Sequence, residues 1–222
     1  VGNLTLESKP TTQIEEADRI AVICNMIRKK KLRALNWGEA QQDWQCRVMS
    51  LRIWRPTEPW PDVSDEQLLA TLEDWLSPYL IGIYKLAEIQ KLDLQQVIQS
   101  ILPWELSQKL NILAPTRMEV PTGSLIKLQY TLDGSKVEMA VRLQELFGLL
   151  ETPTINEGRT KIVIHLLSPG YKPVQITQDL KSFWNKTYFE VRKDLLSRYP
   201  KHHWPIDPLT AEAVRGPKKR LS

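Results

Sequence analysis

Between residues 126 and 143 the chain alternates apolar and polar residues twice, on either side of Asp133-Gly134. Ile126, Leu128, Tyr130 and Leu132 alternate with Lys127, Gln129 and Thr131. Val137, Met139, Val141 and Leu143 then alternate with Glu138, Ala140 and Arg142. A period of two marks a strand with one packed face. Asp-Gly between two such runs is the strongest short-range hairpin signal. A two-residue turn pairs Tyr130 with Val137, Leu128 with Met139 and Ile126 with Val141. In that register both apolar sets share one face, and a slip of one residue would separate them. The opposite face carries Lys127, Gln129 and Arg142, polar and available. The rest of the chain must fold around a ribbon with one dry side and one wet side.

The sequence before Pro115 reads as helices. Thr12 and Glu15 have capping-box spacing. Ile20, Ile23, Cys24 and Ile27 form one helical stripe. Arg28 to Lys31 with Arg33 fall at that helix's end, where positive charge complements the macrodipole. This reads as a solvated last turn rather than a phosphate patch. A second helix spans Glu39 to Arg52. Residues 56–63, PTEPWPDV, hold three prolines and read as a linker or a tight loop, the best candidate for a subdomain boundary. Ser64 and Gln67 open another helix, with Leu68, Leu69, Leu72, Trp75 and Leu76 facing inward. Asp93 caps a short helix, and Pro103 starts one that turns Leu106, Leu110 and Leu113 inward.

After the hairpin, Ile162 to Leu167 reads as a strand buried on both faces, with His165 as a core histidine. Pro173 to Ile176 adds another strand. Helices return with Leu180, Phe183 and Trp184, then restart at a third capping box, Thr187 and Glu190. Pro200 ends the last one. The expected class is α+β. A helical bundle over 1–114 precedes a β-rich domain over 115–210 that ends in helices. Its sheet is expected to be small and antiparallel, most simply an OB-like barrel; an open sheet with flanking helices is the alternative. Residues 211–222, with Lys218-Lys219-Arg220, are expected to fray.

Charge divides unevenly. Residues 1–111 hold 13 Lys/Arg against 15 Asp/Glu, and residues 112–222 hold 17 against 11, so a net −2 precedes a net +6. A basic half points to a polyanionic partner, most simply nucleic acid. No apolar run approaches the roughly 18 residues of a membrane-spanning helix. The two cysteines, Cys24 and Cys46, make no disulfide framework, and a reducing, cytoplasmic setting is expected. The chain opens on Val without a signal pattern, so it is expected to be a fragment or a processed product.

Known catalytic patterns are missing. There is no GxxxxGK[ST], GxSxG, HExxH or CxxC. Asp65-Glu66-Gln67-Leu68 looks only superficially like an acidic metal-binding box, because carboxylates at a helix start satisfy the dipole. The cysteines have no nearby histidine to complete a zinc site. Nothing assembles a nucleophile, a base and an orienting group.

Several longer words carry a family resemblance. They are LEDWLSPYL (72–80), LPWELSQKLNILAP (102–115), VPTGS (120–124), AVRLQELFGLLETP (140–153), HLLSPGYKPVQITQDLKSFW (165–184) and YFEVRKDLLSRYPKHHWP (188–205). Together they resemble the C-terminal region of the HrpB family of bacterial DEAH-box RNA helicases. The resemblance is dense from Asp62 to Pro208 and weaker over the first 60 residues. The family usually reads Lys-His-Pro-Trp-Pro, whereas this chain has His203 in Lys201-His202-His203-Trp204-Pro205. The resemblance implies a parent enzyme that couples ATP hydrolysis, with Mg, to work on nucleic acid. It also implies a motor upstream of Val1, so this chain needs no cofactor of its own. It gives no individual site residues, because the family's catalytic motifs lie in that upstream part.

Two functions follow. The first is an accessory module that binds single-stranded RNA or DNA beside the upstream helicase core. Its basic second half interleaves aromatic residues: Lys172, Lys181, Trp184, Lys186, Arg192, Lys193, Arg198, Lys201 and Trp204. Basic groups neutralise phosphates while aromatic rings stack bases. The residues chosen are Lys127, Gln129 and Arg142 on the hairpin, and Arg192, Lys193, Arg198, Lys201 and Trp204 beyond it. The second function is a protein-interaction or regulatory module. It rests on eight tryptophans, with Trp54, Trp60 and Trp204 beside prolines.

Overall fold

A computed structural model describes residues 15–217. Thr12 and the Lys218-Lys219-Arg220 run therefore lie outside the described residues. The described chain forms two compact units, and neither is continuous in sequence. One takes the chain up to Gln41 and then Val63–Leu102; the other takes Gln42–Asp62 and everything from Pro103. The crossing from Asp62 to Val63 falls in the three-proline stretch. A single cut at residue 114 would separate residues 42–62 from the hairpin they touch.

In the first unit, α1 (Glu16–Lys30) buries Cys24 and Ile27. Burial pushes the Cys24 thiol up from its ordinary value. Arg28 is not merely solvated: it donates to Leu69 O at 3.0 Å and pairs with the Glu73 carboxylate. The chain enters the second unit along α2 (Glu39–Trp54) and returns to α3 (Asp65–Ala70). There Ser64 Oγ accepts the Gln67 N–H at 3.3 Å, as the capping spacing predicts. Next come α4 (Leu72–Trp75), α5 (Leu86–Ile89) and α6 (Leu94–Gln99). Asp93 caps α6 by accepting from Gln95 and Gln96 at 3.1 and 3.2 Å.

The second unit begins with α2 against α7 (Trp104–Leu113), which turns Leu106, Leu110 and Leu113 inward. Arg47 on α2 is 5% exposed and closes the end of α7. It donates to Ala114 O and Asn111 Oδ1, both at 2.6 Å. The strands are β1 (Arg117–Glu119), β2 (Leu125–Tyr130), β3 (Val137–Arg142), β4 (Thr154–Ile155), β5 (Thr160–Lys161), β6 (Val163–Leu167) and β7 (Pro173–Thr177). Five of them form one sheet in the order β1-β2-β3-β6-β7, while β4 and β5 pair separately.

The hairpin pairs Leu128 with Met139 and Tyr130 with Val137, as the alternation requires. Its turn is longer than two residues. Gly134, at φ +61°, donates to Thr131 O at 3.0 Å, and Thr131 N donates to Lys136 O. The register survives because Thr131 and Lys136 still face each other. The turn rests on α2, where Trp54 Nε1 donates to Gly134 O at 2.8 Å and Ser50 Oγ to Thr131 O at 3.3 Å. A Cβ on Gly134 would come within 2.9 Å of Ile53 Cδ1, so both its conformation and this close approach demand glycine.

Three expectations need correction. The sheet is mixed rather than antiparallel, and it is open rather than an OB-like barrel, because β6 runs parallel to β3 with Met139 opposite Ile164. A parallel neighbour needs a long crossover. Residues 143–162 supply it, through a 3-10 turn (Leu143–Leu146) and the β4–β5 ribbon. Strand β6 is buried on one face only: Ile164 and Leu166 are inside, while Val163, His165 and Leu167 are half-exposed. Thr187 caps nothing, since the helix runs on. It starts as α8 (Leu180–Ser182), capped by Asp179, passes through a π-helical turn (Phe183–Thr187), and continues as α9 (Tyr188–Arg198). The π turn brings Phe183, Trp184 and Tyr188 inward together, with ring centroids 5.0 to 6.4 Å apart. Phe147 joins them at 6.1 Å from Trp184.

Candidate functional site

Alternation along the strands sends one set of side chains to the core and the other to an uncovered face. The core set is Leu128, Tyr130, Val137, Met139, Val141, Ile164 and Leu166. On the uncovered side, Arg117 stands opposite Lys127, Gln129 opposite Glu138, and Arg142 opposite Leu167. Ala140 stands opposite His165, and His165 opposite Ile176. Five strands at the usual spacing give this face a width of roughly 19 Å. Leu125 and Ile176 are 58% and 57% exposed on it. Sequence reasoning missed Arg117, because a three-residue strand has no period to read. It also missed His165 as an outer-face residue.

The acid at the centre of this face is compensated. Lys136 Nζ and His165 Nε2 approach the same Glu138 oxygen, at 2.6 and 3.1 Å. The Lys136 hydrogen bond above all, with a smaller share from His165, holds the Glu138 carboxyl below its ordinary range.

Arg142 is fixed rather than floppy. Its Nε donates to Glu145 Oε1 at 2.9 Å. The other Glu145 oxygen accepts from Ser124 Oγ at 2.6 Å and Thr122 Oγ1 at 3.0 Å. Burial by itself would raise the Glu145 carboxyl, but hydrogen bonds from Ser124, Arg142 and Thr122 outweigh it and hold the group below its usual value. The Arg142 guanidinium also lies 5.3 Å from the ring centroid of Tyr171, a residue that sequence reasoning passed over.

The remaining sequence-chosen residues lie on α9 or just after it. Arg192 is half-buried, with Nε donating to Trp204 O at 3.0 Å. Lys193 and Lys201 are exposed. Arg198 pairs with Asp194 one turn back at 2.9 Å. Trp204 is 5% exposed, and its indole N–H donates to Tyr199 O at 2.9 Å. A ring so enclosed offers no face to a base, so Trp204 is removed from the stacking residues. The chosen residues thus form two groups rather than one. The turn 168–172 touches both: Arg142 covers Tyr171, while Tyr199 Oη sits 3.3 Å from Ser168 Oγ. A cleft of about 370 Å³ opens beside this turn, with Lys172 on one wall and Glu190, Asp194 and Arg198 on the other.

Among the described residues, no group of three or more His, Cys, Asp or Glu side chains could hold a metal ion. No described helix is long and apolar enough to cross a membrane. The arrangement suits binding: a broad face with fixed cations and exposed apolar positions.

Comparison with known proteins gives a consistent picture. Residues 75–208 match the HrpB_C family model, described as ATP-dependent helicase C-terminal. The chain is 40% identical over 219 residues to the ATP-dependent RNA helicase HrpB of Escherichia coli K12, covering 99% of this chain and 27% of that protein. A crystal structure described as E. coli DExH-box NTPase HrpB superposes with a TM-score of 0.86, over 93% of this chain and 26% of the other, at 40% identity. A second, of E. coli DEAH/RHA helicase HrpB, gives 0.74 over 88% and 25%, at 39% identity. The chain therefore spans about a quarter of the length of the relatives it matches.

Proposed function

This chain belongs to the HrpB C-terminal family of ATP-dependent helicases, and from that premise we propose that it grips single-stranded nucleic acid for an ATP-driven RNA helicase. The observation that carries this reading is the uncovered sheet face, where Arg117, Lys127, Gln129 and Arg142 share one side while the other is packed. Fixed cations neutralise phosphates without reading sequence, which suits a motor that must step along any strand. In this reading the ATP- and Mg-dependent motor precedes the chain in the same cytoplasmic protein. The chain's own role is to hold the strand that the motor moves.

Fluorescence anisotropy of a labelled single-stranded RNA across a salt series tests this. Each phosphate contact contributes roughly 0.7 to the slope of log affinity against log salt for single strands. Lys127→Ala should lower that slope by about this amount. No binding at low salt, or a slope indifferent to Arg117 and Lys127, would remove the reading.

A second reading, a protein-docking module, has its own support. Trp60 and Trp204 are only 2% and 5% exposed, and Trp54 is tied to Gly134, so the proline-flanked rings are not its anchors. Trp104 and Ile112, two turns apart on α7, are 76% and 75% exposed. Pull-down with the motor portion of the protein, comparing Trp104→Ala with the unaltered chain, tests it.

A further inference from the structure

The turn between β6 and β7 holds its residues in an unexpected order. Ser168 O accepts from Tyr171 N at 2.9 Å, and Ser168 N donates to Lys172 O at 2.8 Å. Such a turn needs a left-handed residue at its fourth position, and glycine is the usual occupant. Here Tyr171 stands there, at φ +59°, with Gly170 just before it. Gly170 plays a different part: a Cβ on it would meet Tyr199 Oη at 2.8 Å, so its lack of a side chain lets that ring close on the turn. A bulky side chain in the left-handed region is strained and persists only where its surroundings over-determine it. They do so here: Ser168 is 2% exposed, and its Oγ also accepts the Lys172 N–H at 3.1 Å.

The strain does not serve the core. Tyr171 is 66% exposed. Its ring lies against the Arg142 guanidinium, which is itself tethered to Glu145. Lys172 follows it in the cleft, and Arg142 belongs to the open sheet face. We propose that Tyr171 is a stacking platform for an unpaired nucleobase, braced from behind by Arg142, so that the 168–172 turn is a base-binding site at the rim of the sheet. This rests on the single-strand-binding reading above and gives the aromatic role to Tyr171 in place of Trp204. Base–aromatic stacking tolerates any sequence, because every base has a π face.

The test uses the full chain, a labelled single-stranded RNA and an abasic strand of equal length. Tyr171→Gly should weaken RNA binding about tenfold, the scale of one lost stack. It should leave abasic-strand binding within twofold and should not lower the melting temperature, because glycine relieves the strain. Tyr171→Phe should bind RNA as the unaltered chain does. Undiminished RNA binding by Tyr171→Gly overturns the platform, as does an equal loss on the abasic strand. A fall in melting temperature would make Tyr171 a structural residue and overturn it too. If Lys127→Ala weakens binding and Tyr171→Gly does not, the sheet-face reading stands and only this site falls. If the unaltered chain binds no RNA, both fall.

Discussion

The two faces of the five-stranded sheet are built from the same strands and obey different rules. On the inner face Leu128, Val137, Met139, Val141, Ile164 and Leu166 are each no more than 2% exposed. Each is chosen by volume and by the absence of polar atoms. On the outer face Arg117, Lys127, Gln129, Arg142, His165 and Ile176 stand in equally strict register, but among the described residues no second sheet or helix layer closes over them, and Arg142 is packed against Tyr171 and Glu145. Where packing imposes no identity, the residues present answer to solubility or to a ligand. The difference separates positions whose loss should unfold the chain from positions whose loss should only disarm it.

The largest expected effect is on the inner face. Leu166→Ala should cost about 3 kcal/mol in denaturant unfolding, through lost burial and a residual cavity. Leu125→Ala on the outer face should change stability by less than about 0.5 kcal/mol. Similar costs at both positions would erase the distinction.

The boundary between the faces is held by Glu145, 4% exposed beneath Arg142. Glu145→Ala should cost about 2 kcal/mol, because Arg142, Ser124 and Thr122 lose their shared acceptor. The same group gives a pH dependence of defined sign. Its folded-state value lies below the ordinary one. Its stabilisation is therefore complete above the unfolded carboxyl range near pH 4.5, and is lost as pH falls through the lower folded value. Urea midpoints taken from pH 7 down to pH 3 should fall less steeply in Glu145→Gln than in the unaltered chain.

The hairpin turn shows a shift of the same sign on an exposed group. Hydrogen bonds from Thr131 and then Ser135 hold the exposed Asp133 carboxyl down to about 2. Asp133 should titrate well below the other surface carboxylates in an NMR pH series, and Ser135→Ala should bring it back toward them. The smallest effect on stability belongs to Lys127→Ala: less than about 0.5 kcal/mol on unfolding, with the salt dependence of RNA binding as the only strong readout.

How far the sequence disclosed this molecule follows from the range of the forces involved. The hairpin register was legible because period-two alternation and a turn signal are local. Caps at Ser64 and Asp93 were legible for the same reason. The parallel contact of β6 with β3 was not, since its crossover is an irregular path with no helical period to announce it. His165 was misplaced because an apolar run of six looks the same whether one face or both are covered. Thr187 and Glu190 have the spacing of a cap, but the aromatic cluster of Phe183, Trp184 and Tyr188 rewards an unbroken helix more than a restart would. At the candidate site, Lys127, Gln129 and Arg142 came from alternation alone. Trp204 failed because composition names an aromatic residue without saying which way it faces.

The hairpin tip rests on α2, with Ser50 bonded to Thr131 and Trp54 to Gly134 across 81 and 80 positions of sequence. The β-containing unit thus borrows its supporting helix from a stretch synthesised long before the strands, with residues 63–102 emerging in between. Such distant pairing slows assembly. During translation the side of α2 that ends up buried must wait first for α7 and then for a hairpin tip about eighty codons away. That interval is when a chaperone would have most to do for this chain.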